Sequence, residues 1–308
     1  MPQASIEQQR GRIAEVPQAS SVEACSVCGD SQWRIVYRGH LPWLKVCAAC
    51  GVERVFPIPQ EFELAGIYDT KYYAKFGATG QSDAYRTMKL ANAEEYLKSI
   101  ETYREVGTLV DVGCGLGENL MVGKRRGWKG VGVDRNESAI ETCEVNGTFR
   151  ALVLDWEREP FDGVRIDVVM ICDVIEHFYR PDAALRKAHA CLRENGLVFL
   201  TTPDVESIWA RLLGHRWWHY HIDHLWYFSR RTLSRLAENA GFEVLECRPT
   251  KKRFALRYIV SILANSEKQV AGKWLSSQLL RFLPDRVLAM QLPSVTEGLT
   301  LIGRKVGP

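Results

Sequence analysis

The chain has 308 residues, 46% of them hydrophobic and 25% charged, with a formal net charge of +3. This composition fits a globular protein with room for one core and an appendage, and it excludes a disordered or collagen-like chain. The small charge excess implies no polyanionic partner, and no apolar run reaches the roughly 18 residues that a membrane span requires.

Residues 1–20 (MPQASIEQQRGRIAEVPQAS) are polar and lack an apolar signal core, which predicts a flexible tail on a cytoplasmic protein. Residues 21–58 contain four of the nine cysteines as two knuckles, Cys25-x-x-Cys28 and Cys47-x-x-Cys50, separated by 18 residues. That spacing predicts a zinc ribbon. Short strands are expected at Trp33–Tyr37 and Trp43–Val46, with Gly29 and Gly51 easing the chain out of each knuckle. So short a segment buries little apolar surface, so the metal supplies folding energy, and four thiolates leave no open coordination position for catalysis. Basic residues around it are few and are offset by Glu23, Asp30 and Glu53, which argues against a nucleic-acid interface.

Residues 59–106 read as a helical cover, with an aromatic stretch at Tyr68–Phe76 and a helix over Ala84–Tyr103. The core, residues 107–250, opens with GTLVDVGCGLG. Thr108–Val112 reads as a buried strand, and Gly113, Gly115 and Gly117 as a tight turn into a helix at Glu118–Arg126. Such a turn cradles a cofactor at the carboxyl edge of a sheet. The pattern is D-x-G-x-G-x-G rather than the dinucleotide G-x-G-x-x-G, and Asp111 inside it repels a pyrophosphate but suits an ammonium group. Asp134 ends a second strand (Gly130–Asp134) about 20 residues on, where an acid accepts hydrogen bonds from ribose hydroxyls. Asp155 ends a third (Ala151–Asp155), placed for an adenine amino group with Trp156 beside the ring.

Together these segments resemble the class I S-adenosylmethionine-dependent methyltransferases of the small-molecule branch. DVGCGLG is similar to their first motif, VGVDRNESAI to the second, ALVLDWE to the adenine-contacting segment and VVMICDVIEHF to the fourth. LRENGLVFLTTP is similar to the family's next strand, and HLWYFSRRTLSRLAENAGFEVLE to a common continuation in the small-molecule branch. The resemblance runs from about Glu94 to Cys247. It implies an α/β fold: a seven-stranded Rossmann-like sheet with helices on both faces. It also implies S-adenosylmethionine with its methionine end near Asp111 and the glycine turn. Related enzymes cover the sulfonium with N-terminal elements, which makes Tyr72 and Tyr73 candidate cofactor contacts, because an aromatic face attracts a cation.

The apolar run Ile166–Cys172 reads as a central strand ending at Asp173, which places Asp173 near the chemistry and makes His177 a candidate general base. A helix at Pro181–Leu192 and a strand at Leu197–Leu200 come next. The segment Ser207–Phe228 carries Trp209, Trp217, Trp218 and Trp226 with His219, His221 and His224, enough for an aromatic-lined pocket with polar handles. His221 and His224 are further base candidates, and their spacing with His219 suits no zinc signature. A helix capped by Ser229 runs to Asn239, and Phe242–Arg248 reads as the sixth strand.

The last strand, within residues 296–308, comes only after an insertion at 251–295 whose apolar and amphipathic stretches, Arg257–Ala264 and Trp274–Phe282, are expected to be helical. That insertion is expected to act as a substrate lid, a dimer contact or a membrane-surface patch. The expected reaction is methyl transfer to a hydroxyl of a small-molecule or lipid-linked metabolite. C- or N-methylation, a nucleic-acid substrate and a non-catalytic cofactor-binding scaffold are the alternatives.

Overall fold

A computed structural model describes residues 24–36, 44–65, 82–145, 150–161, 165–256, 260, 278–288, 290–294 and 297–307. Three short strands come first: β1 (Trp33–Val36), β2 (Leu44–Cys47) and β3 (Glu53–Val55). After helix α1 (Glu61–Ala65) and the long helix α2 (Ser82–Glu101), the core alternates strand and helix. Its members are β4 (Thr108–Val112), α3 (Glu118–Arg125), β5 (Lys129–Asp134), α4 (Glu137–Val145), β6 (Arg150–Val153), β7 (Ile166–Cys172), α5 (Pro181–Cys191) and β8 (Leu192–Pro203). Then come α6 (Ile208–Leu213), β9 (Trp226–Tyr227), α7 (Arg230–Asn239), β10 (Phe242–Pro249), β11 (Lys252–Ala255), α8 (Asp285–Leu288), β12 (Gln291–Ser294) and β13 (Gly298–Lys305).

The central sheet has seven strands in the order β10-β13-β8-β7-β4-β5-β6. Pairings from β8 through β6 are parallel, and β13 runs antiparallel to both β8 and β10. The order reverses beside β4, so the crevice beyond its carboxyl end is where an open α/β sheet takes a ligand. Alternation along the central strands divides the core into two layers. Leu109, Val168, Met170 and Phe199 pack on one face with Leu97 and Ile100 of α2. Val110, Val169, Ile171 and Leu200 pack on the other with α5 and α7.

The N-terminal segment joins this second layer: Cys25, Val27, Cys47, Cys50 and Val52 share one apolar cluster with Leu233 and Leu236 of α7. Its three strands form a four-stranded sheet with β9, which comes from the histidine- and tryptophan-rich segment. Polar contacts fix the docking. Arg231 donates to the Cys50 carbonyl at 2.6 Å and Asn239 to the Val27 carbonyl at 2.6 Å. The insertion is partly β: β11 and β12 pair antiparallel, where the sequence suggested only apolar or amphipathic helical stretches. Of the stretches Arg257–Ala264 and Trp274–Phe282, residues 278–282 are helical and the rest apart from Val260 lies outside the described residues, as do Tyr72 and Tyr73.

Candidate functional site

The cofactor half of the site is built on the ends of β4, β5 and β6. Gly113, Gly115 and Gly117 all take positive φ, and a Cβ on Gly113 would lie 2.4 Å from Val174 Cγ2. A side chain there is excluded both by backbone conformation and by space. The Gly115 amide donates to Asp134 Oδ2 at 3.0 Å and the Asn136 amide to Oδ1 at 2.9 Å. Asp134 is therefore a nearly buried acceptor locked in position at the strand end. Asp111 lies deeper, 1% exposed, with both carboxylate oxygens 3.2 Å from Asn119 Nδ2. Burial pushes its carboxyl up to about 7, against the lowering pull of Asn119. Asp155 accepts from the Glu157 amide at 2.9 Å and so shapes its own turn. The Trp156 ring is 3% exposed, packs on Phe161 and donates its indole N–H to the Ala184 carbonyl at 3.2 Å. It belongs to the core below that turn.

The other half gathers around the ends of β7 and β8. Asp173 has φ 56, a left-handed conformation that turns the chain sharply at the strand end. Its carboxylate takes Lys252 Nζ at 2.7 and 2.8 Å and the Thr201 hydroxyl at 2.9 Å. Burial alone would raise this carboxyl, yet the Lys252 and Lys89 ammonium groups hold it below the usual carboxylate range. Lys252 belongs to β11, so the insertion reaches the catalytic edge through this ion pair. Glu176, 1% exposed, accepts from the Thr202 hydroxyl at 3.0 Å, and burial beside Asp173 raises its carboxyl to about 8.

Three of the histidines form a ring cluster with His177. The His177 and His224 centroids lie 4.8 Å apart, His221 and His224 5.3 Å, and His219 stacks on His224 at 6.0 Å. Burial lowers the pKa values of His177, His219 and His224, that of His219 to about 3. These three rings are therefore neutral at neutral pH. His177 Nδ1 lies 2.8 Å from the Asp223 carbonyl oxygen and His224 Nδ1 2.8 Å from that of His219. A carbonyl only accepts, so each Nδ1 carries the proton and the lone pair resides on Nε2. Glu176, His177 and His224 also bring one ligand atom each within 4.8 Å of one another, close enough to share a cation.

All four cysteines of the two knuckles converge likewise. Cys25 Sγ lies 3.7 Å from Cys50 Sγ, and Cys28 Sγ 3.5 Å from Cys47 Sγ. Four thiolates about 2.3 Å from a tetrahedral zinc stand roughly 3.8 Å from one another, so the donor set fits that ion.

Sequence reasoning thus reached Asp173, His177, His221 and His224, which the fold assembles at one edge. Lys252 and Glu176 join them without having been singled out from the sequence. The Lys252–Asp173 contact spans 79 residues and carries no local signal.

A methyltransferase-domain family profile matches residues 85–247, just over half of the chain. The chain is 25% identical over 118 residues to the ubiquinone biosynthesis O-methyltransferase of Bradyrhizobium diazoefficiens, covering 36% of this chain and 47% of that protein. It spans about half the length of the first such relatives it matches. Among solved structures, a SAM-dependent methyltransferase of Thermotoga maritima superposes with a TM-score of 0.52 at 17% identity, covering 80% of this chain and all of that one. The magnesium protoporphyrin IX methyltransferase of Synechocystis, solved with bound SAH, does so with 0.52 at 11% identity and the same coverage. These structural likenesses support a Rossmann-like methyltransferase fold with a mixed sheet and flanking helices. The chain belongs to the class I S-adenosylmethionine-dependent methyltransferases. It carries, ahead of the matched domain, a cluster of four cysteines.

Proposed function

We propose that this enzyme transfers the methyl group of S-adenosylmethionine to a hydroxyl oxygen of a small-molecule or lipid-linked metabolite. The observation that carries this reading is the group of half-buried imidazoles, those of His177 and His224 neutral, beside the strand edge that bears Asp111 and Asp134. When bound, the cofactor supplies an activated methyl on a positive sulfur. Asp111 would receive its ammonium group, the turn at Gly113, Gly115 and Gly117 would pass close to its methionine part, and Asp134 would accept from the ribose. Asp155 takes the adenine amino group while Trp156 holds that turn from below. Tyr72 and Tyr73 are assigned to the sulfonium.

The acceptor hydroxyl lies against the histidine cluster. Its oxygen would attack in line, the new C–O bond replacing the C–S bond, and its proton would pass to Nε2 of His224 or His177, or to the His221 ring. Asp173, ion-paired with Lys252, orients the cofactor side of this edge rather than competing for the proton. The O-methyltransferase relatives favour oxygen over carbon or nitrogen as the acceptor atom. Cys25, Cys28, Cys47 and Cys50 hold one structural zinc.

Calorimetry of cofactor-stripped protein is expected to show one S-adenosylmethionine per chain. A screen of hydroxylated metabolites with a labelled methyl donor should then yield an O-methylated product. Tight donor binding with labelled product only on nitrogen or carbon acceptors would overturn the assignment to oxygen.

A further inference from the structure

The short helix α6 (Ile208–Leu213) turns Ala210 and Leu213 inward, toward a cluster of Leu44, Val55, Trp217 and Tyr227. Its other face is bare. Ile208 is 58% exposed, Trp209 41% and Leu212 71%, and Trp218 at 38% lies with its ring centroid 5.9 Å from that of Trp209. Four large apolar side chains within eleven residues form one patch, not scattered singles. The polar groups around it are mostly cationic. Arg211, His215, Arg216 and Arg230 are all exposed. Arg211 and Arg230 also line a cavity of about 630 Å³, with Arg231, Asp204 and Glu206 on its wall.

We infer that this face docks on the surface of an anionic phospholipid bilayer. Leu212, Ile208 and the tryptophan pair enter the headgroup boundary, where indole rings are favoured, and the arginines meet lipid phosphates. The six-residue helix is far too short to span the bilayer, and no described helix is long and apolar enough to cross it. Charge complementarity selects an anionic membrane over a neutral one. Two acids on the cavity wall offset part of the positive charge, so the apolar side chains and the arginines are both required. The chain continues from Trp218 directly into His219, whose ring lies 6.1 Å from that of Trp218. Docking here therefore brings the histidine cluster close to the membrane. The inference goes beyond the methyl-transfer assignment and does not depend on it.

Co-sedimentation of the full chain with phosphatidylcholine vesicles, with and without added phosphatidylglycerol, tests it in the absence of cofactor and acceptor. Binding is expected only with the anionic lipid and weakens as salt is raised. Arg211→Gln and Arg216→Gln should each reduce partitioning roughly fivefold. Leu212→Glu should reduce it by about tenfold or more while leaving S-adenosylmethionine affinity unchanged, which shows the fold intact. Equal binding to neutral and anionic vesicles, or unchanged partitioning of Leu212→Glu, overturns the inference. Absence of vesicle binding, with Leu212→Glu converting a dimer to a monomer in sedimentation velocity, assigns the face to a second copy instead.

Discussion

The proposed cofactor edge and the proposed acceptor wall are held in opposite ways. At the cofactor edge the hydrogen bonds of Asp111 and Asp134 are local. Gly115 meets Asp134 across 19 residues and Asn119 meets Asp111 across 8. Asp111 and Asp134 sit on adjacent parallel strands, and Gly115 and Asn119 on the turn and helix that follow the first of them. The acceptor wall is held from far away. Its β9 pairs with β3 of the cysteine-bearing sheet, Tyr220 donates to Glu53 at 3.2 Å across 167 residues, and the Arg54 guanidinium sits 4.7 Å from the Trp226 ring centre. Trp226 in turn donates to the Phe178 carbonyl, one residue past His177. The cysteine-bearing sheet therefore acts as an outer clamp on the segment that carries the histidines. The two halves of one site then fail separately, because damage to the clamp reaches the acceptor and spares the donor.

The largest separation is expected from the histidines themselves. His224→Ala should cut the transfer rate by roughly 10²–10⁴, the worth of a positioned general base, with donor affinity by calorimetry unchanged. His221→Ala and His177→Ala identify the base if His224 is only its support. Near-normal rates across pH in all three variants would falsify histidine base catalysis and leave transfer to positioning.

Breaking the clamp is the next test. Elemental analysis is expected to find one zinc per wild-type chain, and Cys47→Ser should lose it. Through the β3–β9 pairing, the displaced wall should lower the transfer rate by up to about 10², the effect of a small misplacement of reacting groups. Donor affinity should stay near the wild-type value. A variant that loses zinc yet turns over normally shows that β9 holds the wall without the ribbon. Iron in place of zinc in wild-type protein contradicts the metal assignment directly.

The same contrast explains what the sequence makes legible. Seven strands, the glycine turn and the acids at 111, 134 and 155 are readable because each depends on near neighbours: an apolar run, a fixed spacing, a residue free of a Cβ. The four cysteines are readable for the same reason. The docking of the ribbon on α7 through Arg231 and Asn239 is not, since nothing local in either segment marks the other as partner. Lys252 is hidden likewise, and only the fold reveals that a basic residue of the insertion neutralises Asp173. Trp156 shows the reverse error. Its position after Asp155 suggested a ring beside adenine, but a large apolar ring next to α5 is drawn into the core.

On the cofactor side, Asp134→Ala should weaken donor binding by about 1.5–3 kcal/mol, since two ribose hydrogen bonds lose a charged acceptor. The transfer rate at saturating donor should fall far less than in His224→Ala. If both variants lose rate and affinity in the same proportion, the two halves are one cooperative unit and do not fail separately.

Asp111 gives the mildest and most informative test, because its charge is suppressed until the donor arrives. Burial holds the folded carboxyl at about 7, above the ordinary 3.8. Between those values the folded protein keeps a proton that the unfolded chain has lost, so this residue's contribution to stability falls as pH rises through that window and stays unfavourable above it. An ammonium group beside the carboxyl favours its ionised form. Donor affinity should therefore weaken as pH drops below about 7, by up to roughly tenfold per unit, with proton release on binding seen as a buffer-dependent heat. Asp111→Asn removes both effects. The donor-free variant should melt a few degrees higher than wild type near pH 8, and its weakened donor binding should lose the pH slope. A variant that binds the donor as tightly as wild type, with the slope intact, would move the ammonium away from Asp111.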